Sequence, residues 1–162
     1  MDWTLEVVVV PVAEVDRAKA FYAEQVGFRV EVDRRVTEDF RVVQLTPPGS
    51  GCSIALLSRG GSQMPPGSLQ GLQLVVSDLR AAHAAHAELV ERGVEASEIQ
   101  VFDGSSPRSM RDGDTLDYAA FVFFKDPDGN GWAVQQISAR GSDAGGARRR
   151  GPADEPLVRA GP

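Results

Sequence analysis

Two segments of this chain repeat at an offset of 64 residues: Ala13-Glu14-Val15-Asp16-Arg17-Ala18 and Ser77-Asp78-Leu79-Arg80-Ala81-Ala82. Each follows an apolar run and opens a stretch of helical periodicity. Each half therefore reads as strand, helix, then three strands. A four-stranded sheet with a single helix can cover only one of its faces. Two such halves are expected to pair and enclose something on the other.

In chain order, LEVVVVPV at 5–12 is a continuous β-branched run, as in a strand buried on both faces. Glu14 to Val26 carries Val15, Ala18, Phe21, Tyr22 and Val26 on a helical period, and Gly27 ends it. Phe28 to Arg34, Phe40 to Leu45 and Cys52 to Leu57 read as strands, with Pro47-Pro48-Gly49-Ser50-Gly51 as a turn. SRGGSQMPPGS, 58–68, has linker composition. The second half runs through a strand from Leu69 to Val76, a helix from Asp78 to Arg92, a strand from Val94 to Phe102 and a polar loop, 103–118. The boundaries are thus a first module over 1–58, a linker over 59–68, a second module over 69–139 and a tail over 140–162. The tail has almost no large apolar residues and reads as disordered, with Arg148-Arg149-Arg150 solvated in it.

The last two strands flank Asp126-Pro127-Asp128-Gly129-Asn130 within FVFFKDPDGNGWAVQQI. Pro127 presets φ and Gly129 can take φ > 0, so a tight antiparallel hairpin is predicted. This hairpin, the repeat, and the run from Val12 through Val15-Asp16-Arg17-Ala18-Lys19-Ala20-Phe21-Tyr22 to Val26-Gly27-Phe28 together resemble one family. It is the glyoxalase / bleomycin-resistance / extradiol-dioxygenase superfamily, the vicinal oxygen chelate proteins. The resemblance spans about 5–138. It implies an α+β fold of two βαβββ modules forming cup-shaped mixed sheets around a cavity, with helices on the outside, often as a homodimer.

Metal-dependent relatives bind a divalent ion with one side chain from the first and last strand of each module. By resemblance those positions fall on Val7, Ala55, Leu72 and Ala133. None offers a nitrogen, oxygen or sulfur donor, so the resemblance is to a metal-free, cofactor-free member. Glyoxalase and dioxygenase chemistry uses a metal as Lewis acid, which leaves enzymatic activity an open question.

Other candidates have simpler readings. His83 and His86 lie three apart on the second helix, outside the cup, and read as helix surface. Cys52 reads as a packing cysteine, and one cysteine excludes an intrachain disulfide framework and fits a reducing cytoplasm. Asp112, Asp114 and Asp117 resemble a cation loop only loosely, since Phe123 occupies the position of its last carboxylate. No glycine-rich phosphate cradle is present. Residues 1–139 hold 12 basic and 20 acidic residues, an acidic body that argues against nucleic acid as a partner. No apolar run is long enough to span a bilayer, and the first twelve residues lack the pattern of a signal peptide.

Strand parity sketches the cup interior. With Val7, Ala55, Leu72 and Ala133 inward, Val9, Ser53, Leu57, Leu74, Gly131 and Gln135 are inward too, with Phe40, Val42 and Gln44 on a neighbouring strand. Tyr118, on the loop, is a further wall residue. Trp132 has the opposite parity and is expected in the core. The expected site is therefore Val7, Phe40, Gln44, Ala55, Leu57, Leu72, Leu74, Tyr118, Ala133 and Gln135, an apolar hollow with a few uncharged polar groups. The resulting functional expectation is a metal-independent, cytoplasmic, homodimeric small-molecule binder of the antibiotic-sequestering type. The alternatives are a metal-free isomerase, cyclase or lyase with Tyr118 or a loop acid as general acid or base, a metal enzyme with displaced ligands, and a filled cup with a structural role.

Overall fold

The computed structural model describes residues 2–58, 62–78, 87, 89–104 and 106–138 of the 162-residue chain. The expected tail, His83 and His86, most of the second helix and part of the linker lie outside the described residues. The architecture is α+β, with two mixed sheets. The first contains β1 (Val7–Val10), β2 (Arg29–Arg35), β3 (Arg41–Thr46) and β4 (Ser53–Leu57), ordered β1-β4-β3-β2. The second contains β5 (Leu72–Val76), β6 (Gln100–Val101), β7 (Arg108–Ser109), β8 (Ala120–Lys125) and β9 (Gly131–Gln136), ordered β5-β9-β8-β6-β7. In each sheet the opening strand pairs in parallel with the closing one, β1 with β4 and β5 with β9. Other pairings are antiparallel.

The strand expected over Val94 to Phe102 is shorter than its β-branched sequence predicts. Only Gln100 and Val101 form ladder, with an isolated bridge from Ala96 to Phe124. Between them Ser97 intervenes, its Oγ accepting the Phe123 amide at 2.9 Å where a backbone carbonyl would serve in a regular ladder. The polar loop supplies β7 instead. Arg108 anchors it with two hydrogen bonds to Asp114, at 2.7 and 2.9 Å, and a third to Asp103 at 3.1 Å.

α1 (Val15–Ala20) runs directly into a widened π-helical turn, Phe21–Gln25, closed by Val26 N–H donating to the Phe21 carbonyl at 3.0 Å. Both Phe21 and Tyr22 are buried in this turn, although they are adjacent in sequence. They meet the second sheet: Phe21 lies 6.3 Å from Phe124, Tyr22 5.7 Å from Trp132, and Trp132 stacks on Phe124. With Val43, Leu45, Ile54 and Leu56 from the first sheet and Val122 and Val134 from the second they make one continuous core. Each sheet thus turns one face to a shared core and leaves the other open. β1 and β5 are edge strands of their sheets, with no lateral strand partner on the outer side among the described residues.

The segment entering β5 crosses the hairpin at Gly67. Its φ is +76°, and a Cβ there would sit 2.0 Å from the Asp128 carbonyl oxygen. Gly67→Ala is expected to cost about 2–3 kcal/mol from backbone strain plus collision. Gly49, with φ +77° and nothing near its would-be Cβ, isolates the strain alone. Gly49→Ala should cost about 1 kcal/mol. Chemical unfolding of both variants checks the difference, and equal losses would contradict the close crossing.

Candidate functional site

The hairpin is organised by Asp126. Its Oδ1 accepts the amides of Asp128, Gly129 and Asn130 at 2.9–3.0 Å. Its Oδ2 accepts Tyr22 O–H at 2.8 Å and Asn130 Nδ2 at 2.7 Å. Trp132 Nε1 donates to the same Tyr22 oxygen at 3.0 Å. Burial, and then the charge of Asp126, push the Tyr22 phenol far above its ordinary range, so it stays a neutral donor. Asp128 grips the start of α1, accepting from Ala13 N–H and from Arg17 at 2.7 Å. These groups join the halves, while Asp128 Oδ2 stays buried without a hydrogen-bond partner.

The open face of the first sheet follows from the ladder register, since paired residues share a face. Val7 pairs with Ser53, Val9 with Ala55, Ala55 with Gln44, and Leu57 with Val42. Val7, Gln44, Ala55 and Leu57 therefore stand together as parity predicts, with Phe40 two residues before Val42. Opposite parity sends Val43 and Leu45 into the core.

The second sheet corrects one expectation. Leu72 pairs with Trp132 and Leu74 with Val134, so both leucines pack on the core side, away from the open face. Gln73 and Val75, paired with Ala133 and Gln135, take the open face instead. The slip is one residue, which in a strand reverses every side chain. Carrying Val7 forward by the repeat's own offset of 64 lands on Gly71, in parity with Gln73. The four chelate positions are then Val7, Ala55, Gly71 and Ala133, still without a donor atom. No cluster of three His, Cys, Asp or Glu side chains able to hold an ion occurs among the described residues, and this donor set does not fit a metal.

The same register brings up residues that sequence reasoning missed. Phe121 pairs with Gln135 and Phe123 with Ala133, so both phenylalanines share the open face. Their rings stack at 6.0 Å, and Phe102 meets them edge-on at 5.3 and 6.2 Å. All three are partly exposed, Phe102 at 38%. Beside them runs a polar strip in which Gln73 Nε2 donates to Gln135 Oε1, and Gln135 Nε2 donates to the Tyr118 carbonyl at 2.8 Å. Tyr118 holds φ +60°, unusual for a non-glycine residue, and its ring is exposed. Parity counted back through the hairpin from Ala133 was the signal that could have found these phenylalanines.

A cleft of about 1000 Å³ opens at the hairpin end of the second sheet. Gly71, Phe123 and Ala133 line it from the open-face positions, with Phe21, Gln25 and Glu95. Of the ten expected site residues, only Ala133 lines this cleft. Asp114, in the loop once compared to a cation site, is taken up by Arg108, which holds its carboxyl down at about 2. Asp117 accepts the Ser138 amide at 2.7 Å.

The Glyoxalase/Bleomycin resistance protein/Dioxygenase superfamily model matches residues 4–134. The chain belongs to this superfamily. Among solved structures, the superfamily fold recurs in TnmS3, an antibiotic-binding protein from Streptomyces sp. CB03234. It is 34% identical, with 85% of this chain and 98% of that chain covered and a TM-score of 0.63. A glyoxalase/bleomycin resistance protein from the same organism is also 34% identical, covering 82% of this chain and 100% of its own, at TM-score 0.61. A superfamily member from Sphaerobacter thermophilus DSM 20745, 22% identical over 83% of this chain and 98% of that one, shares the fold at TM-score 0.62. None of the curated proteins compared matches the chain. No helix among the described residues is long and apolar enough to cross a membrane.

Proposed function

We propose that this superfamily member binds and sequesters a small aromatic natural product, such as an antibiotic, without a metal, as a cytoplasmic homodimer. The observation that carries the reading is the Phe102–Phe121–Phe123 cluster, partly exposed on an open sheet face beside the Gln73–Gln135 strip. Aromatic rings offer a large contact area at little entropic cost, and the amides fix orientation without charge. Hydrocarbon at Val7, Ala55 and Ala133 and a bare Gly71 support binding without a cation. The 34% identity to an antibiotic-binding protein supports the ligand class. Each sheet leaves its open face away from the shared core, so a closed cup needs a second copy, which supports the dimer. The domain limits of 1–58 and 69–139 fit the two sheets, and the lone Cys52, unpaired, suits a reducing compartment.

The test combines native mass spectrometry with thermal unfolding against a panel of polycyclic aromatic natural products. The purified protein should carry no stoichiometric metal. A guest at about 100 times its Kd should add roughly 2.7 kcal/mol, a rise in Tm of about 5–10 °C. A stoichiometric ion, or a panel without any shift, would sink the reading.

A further inference from the structure

One residue beside the aromatic face stands in a conformation that its own side chain disfavours. Tyr118 occupies the third place of a turn, 116–119, closed by Ala119 N–H donating to the Leu116 carbonyl at 3.2 Å. A φ of +60° at that place ordinarily belongs to glycine, because a Cβ makes it costly. Tyr118 is 59% exposed, so more than half of its surface faces solvent rather than a core.

Three hydrogen bonds hold the turn against that strain. Tyr118 N–H donates to the Gln136 carbonyl at 2.9 Å, and Phe102 N–H donates to the Ala119 carbonyl at 2.8 Å. The third comes from the open face itself, where Gln135 Nε2 donates to the Tyr118 carbonyl at 2.8 Å. That carbonyl has no hydrogen to offer, so Gln135 must turn its nitrogen toward it and leave its oxygen for Gln73 Nε2. A left-handed tyrosine costs about as much free energy as one neutral hydrogen bond supplies, so losing this amide is enough to release the turn. The turn also borders the guest face: Gln135 is paired with Phe121 in the ladder, and Phe102 is bonded to the turn directly.

Resting on the binding reading above, we propose that Tyr118 is a contact residue for the aromatic guest and Gln135 the positioning residue that holds it. The strain at Tyr118 serves to present a ring at the margin of the Phe102–Phe121–Phe123 face before the guest arrives. A ring fixed in advance gives up little freedom when the guest binds.

The test uses full-length chains and prodan, a neutral naphthalene dye whose emission reports an apolar aromatic site. Calorimetric melting, which needs no guest, compares Tyr118→Gly with Tyr118→Ala. Both remove the ring, and only alanine keeps a Cβ at positive φ, so the glycine variant should melt about 2–4 °C higher, the reverse of the usual order. Prodan titration should show either variant binding about 10-fold more weakly than wild type. Gln135→Ala alone should weaken prodan roughly 3- to 10-fold, and in the Tyr118→Gly chain it should add less than about a 1.5-fold loss. An alanine variant as stable as the glycine one would remove the strain. Prodan affinity unchanged by loss of the ring would remove the contact. A Gln135→Ala loss of equal size with and without the ring would mean that Gln135 meets the guest itself, and any of these three results overturns the proposal. Undiminished prodan binding in the Tyr118 variants leaves the sequestering function standing, whereas a wild type that binds neither prodan nor the natural-product panel would sink both.

Discussion

Alanine at Asp126 is expected to lower the melting temperature by about 10 °C. The carboxylate accepts five hydrogen bonds in a buried setting: three hairpin amides, the Asn130 side chain and the Tyr22 hydroxyl. Removing it leaves the amides of Asp128 and Asn130, the Tyr22 hydroxyl and one hydrogen of the Asn130 side chain without their acceptor, while Gly129 N–H keeps the backbone carbonyl of residue 126 and Asn130 Nδ2 keeps the Pro11 carbonyl. Unsatisfied buried donors cost about 1–3 kcal/mol each before relaxation. Relaxation and water entry reduce the sum, and about 3–4 kcal/mol is a reasonable net. For a chain of this size that corresponds to roughly 10 °C. Tyr22→Phe, which keeps the ring in the core and removes only the hydroxyl, should cost about 1–2 kcal/mol. Asp126→Asn should fall between wild type and alanine, since its amide oxygen can still accept the three hairpin amides. Thermal unfolding by calorimetry measures the series. An alanine variant melting within a degree of wild type would show that the hairpin is not held by this carboxylate.

The second large effect concerns binding. Phe121→Ala combined with Phe123→Ala should weaken the guest about 100-fold while leaving the fold intact. Both rings are partly exposed on the open face, so their loss makes no sealed cavity in the core. What they lose is contact with the guest, about 1.5 kcal/mol or more per ring, together near 3 kcal/mol. Isothermal titration with any panel compound that binds wild type gives the ratio. Gln135→Ala in the same background tests the polar strip, and a change under threefold in the double phenylalanine variant would move the site elsewhere.

The sequence carried much of this architecture because its strongest signals are local. The hairpin follows from Pro127 and Gly129, the end of the first helix from Gly27, and the pairing of halves from the repeat. Trp132 falls in the core as its parity predicts. What failed was register. Counting β5 from a single glycine placed Leu72 and Leu74 on the wrong face, because leucine suits a core and a cup wall equally. Gln73, the polar residue between them, was the clue to the true parity. The phenylalanines escaped notice for a related reason. In Phe121-Val122-Phe123-Phe124 every residue is apolar, so composition alone cannot separate the face that meets α1 from the one that meets solvent. Ser97 interrupts its ladder through a side-chain hydrogen bond, which hydrophobic periodicity does not report.

The clamp between Tyr22 and Asp126 is lopsided, and that has an evolutionary corollary. The matching corner of the first half, Pro47-Pro48-Gly49, carries no carboxylate, and the repeat's offset takes Tyr22 to a histidine, His86. A tandem duplicate of either half would hold only one member of the lock. The two repeats have become complements rather than copies, so a recombinant that shuffles or doubles them should be destabilised at least as much as Asp126→Ala, even though each half preserves its own strand order.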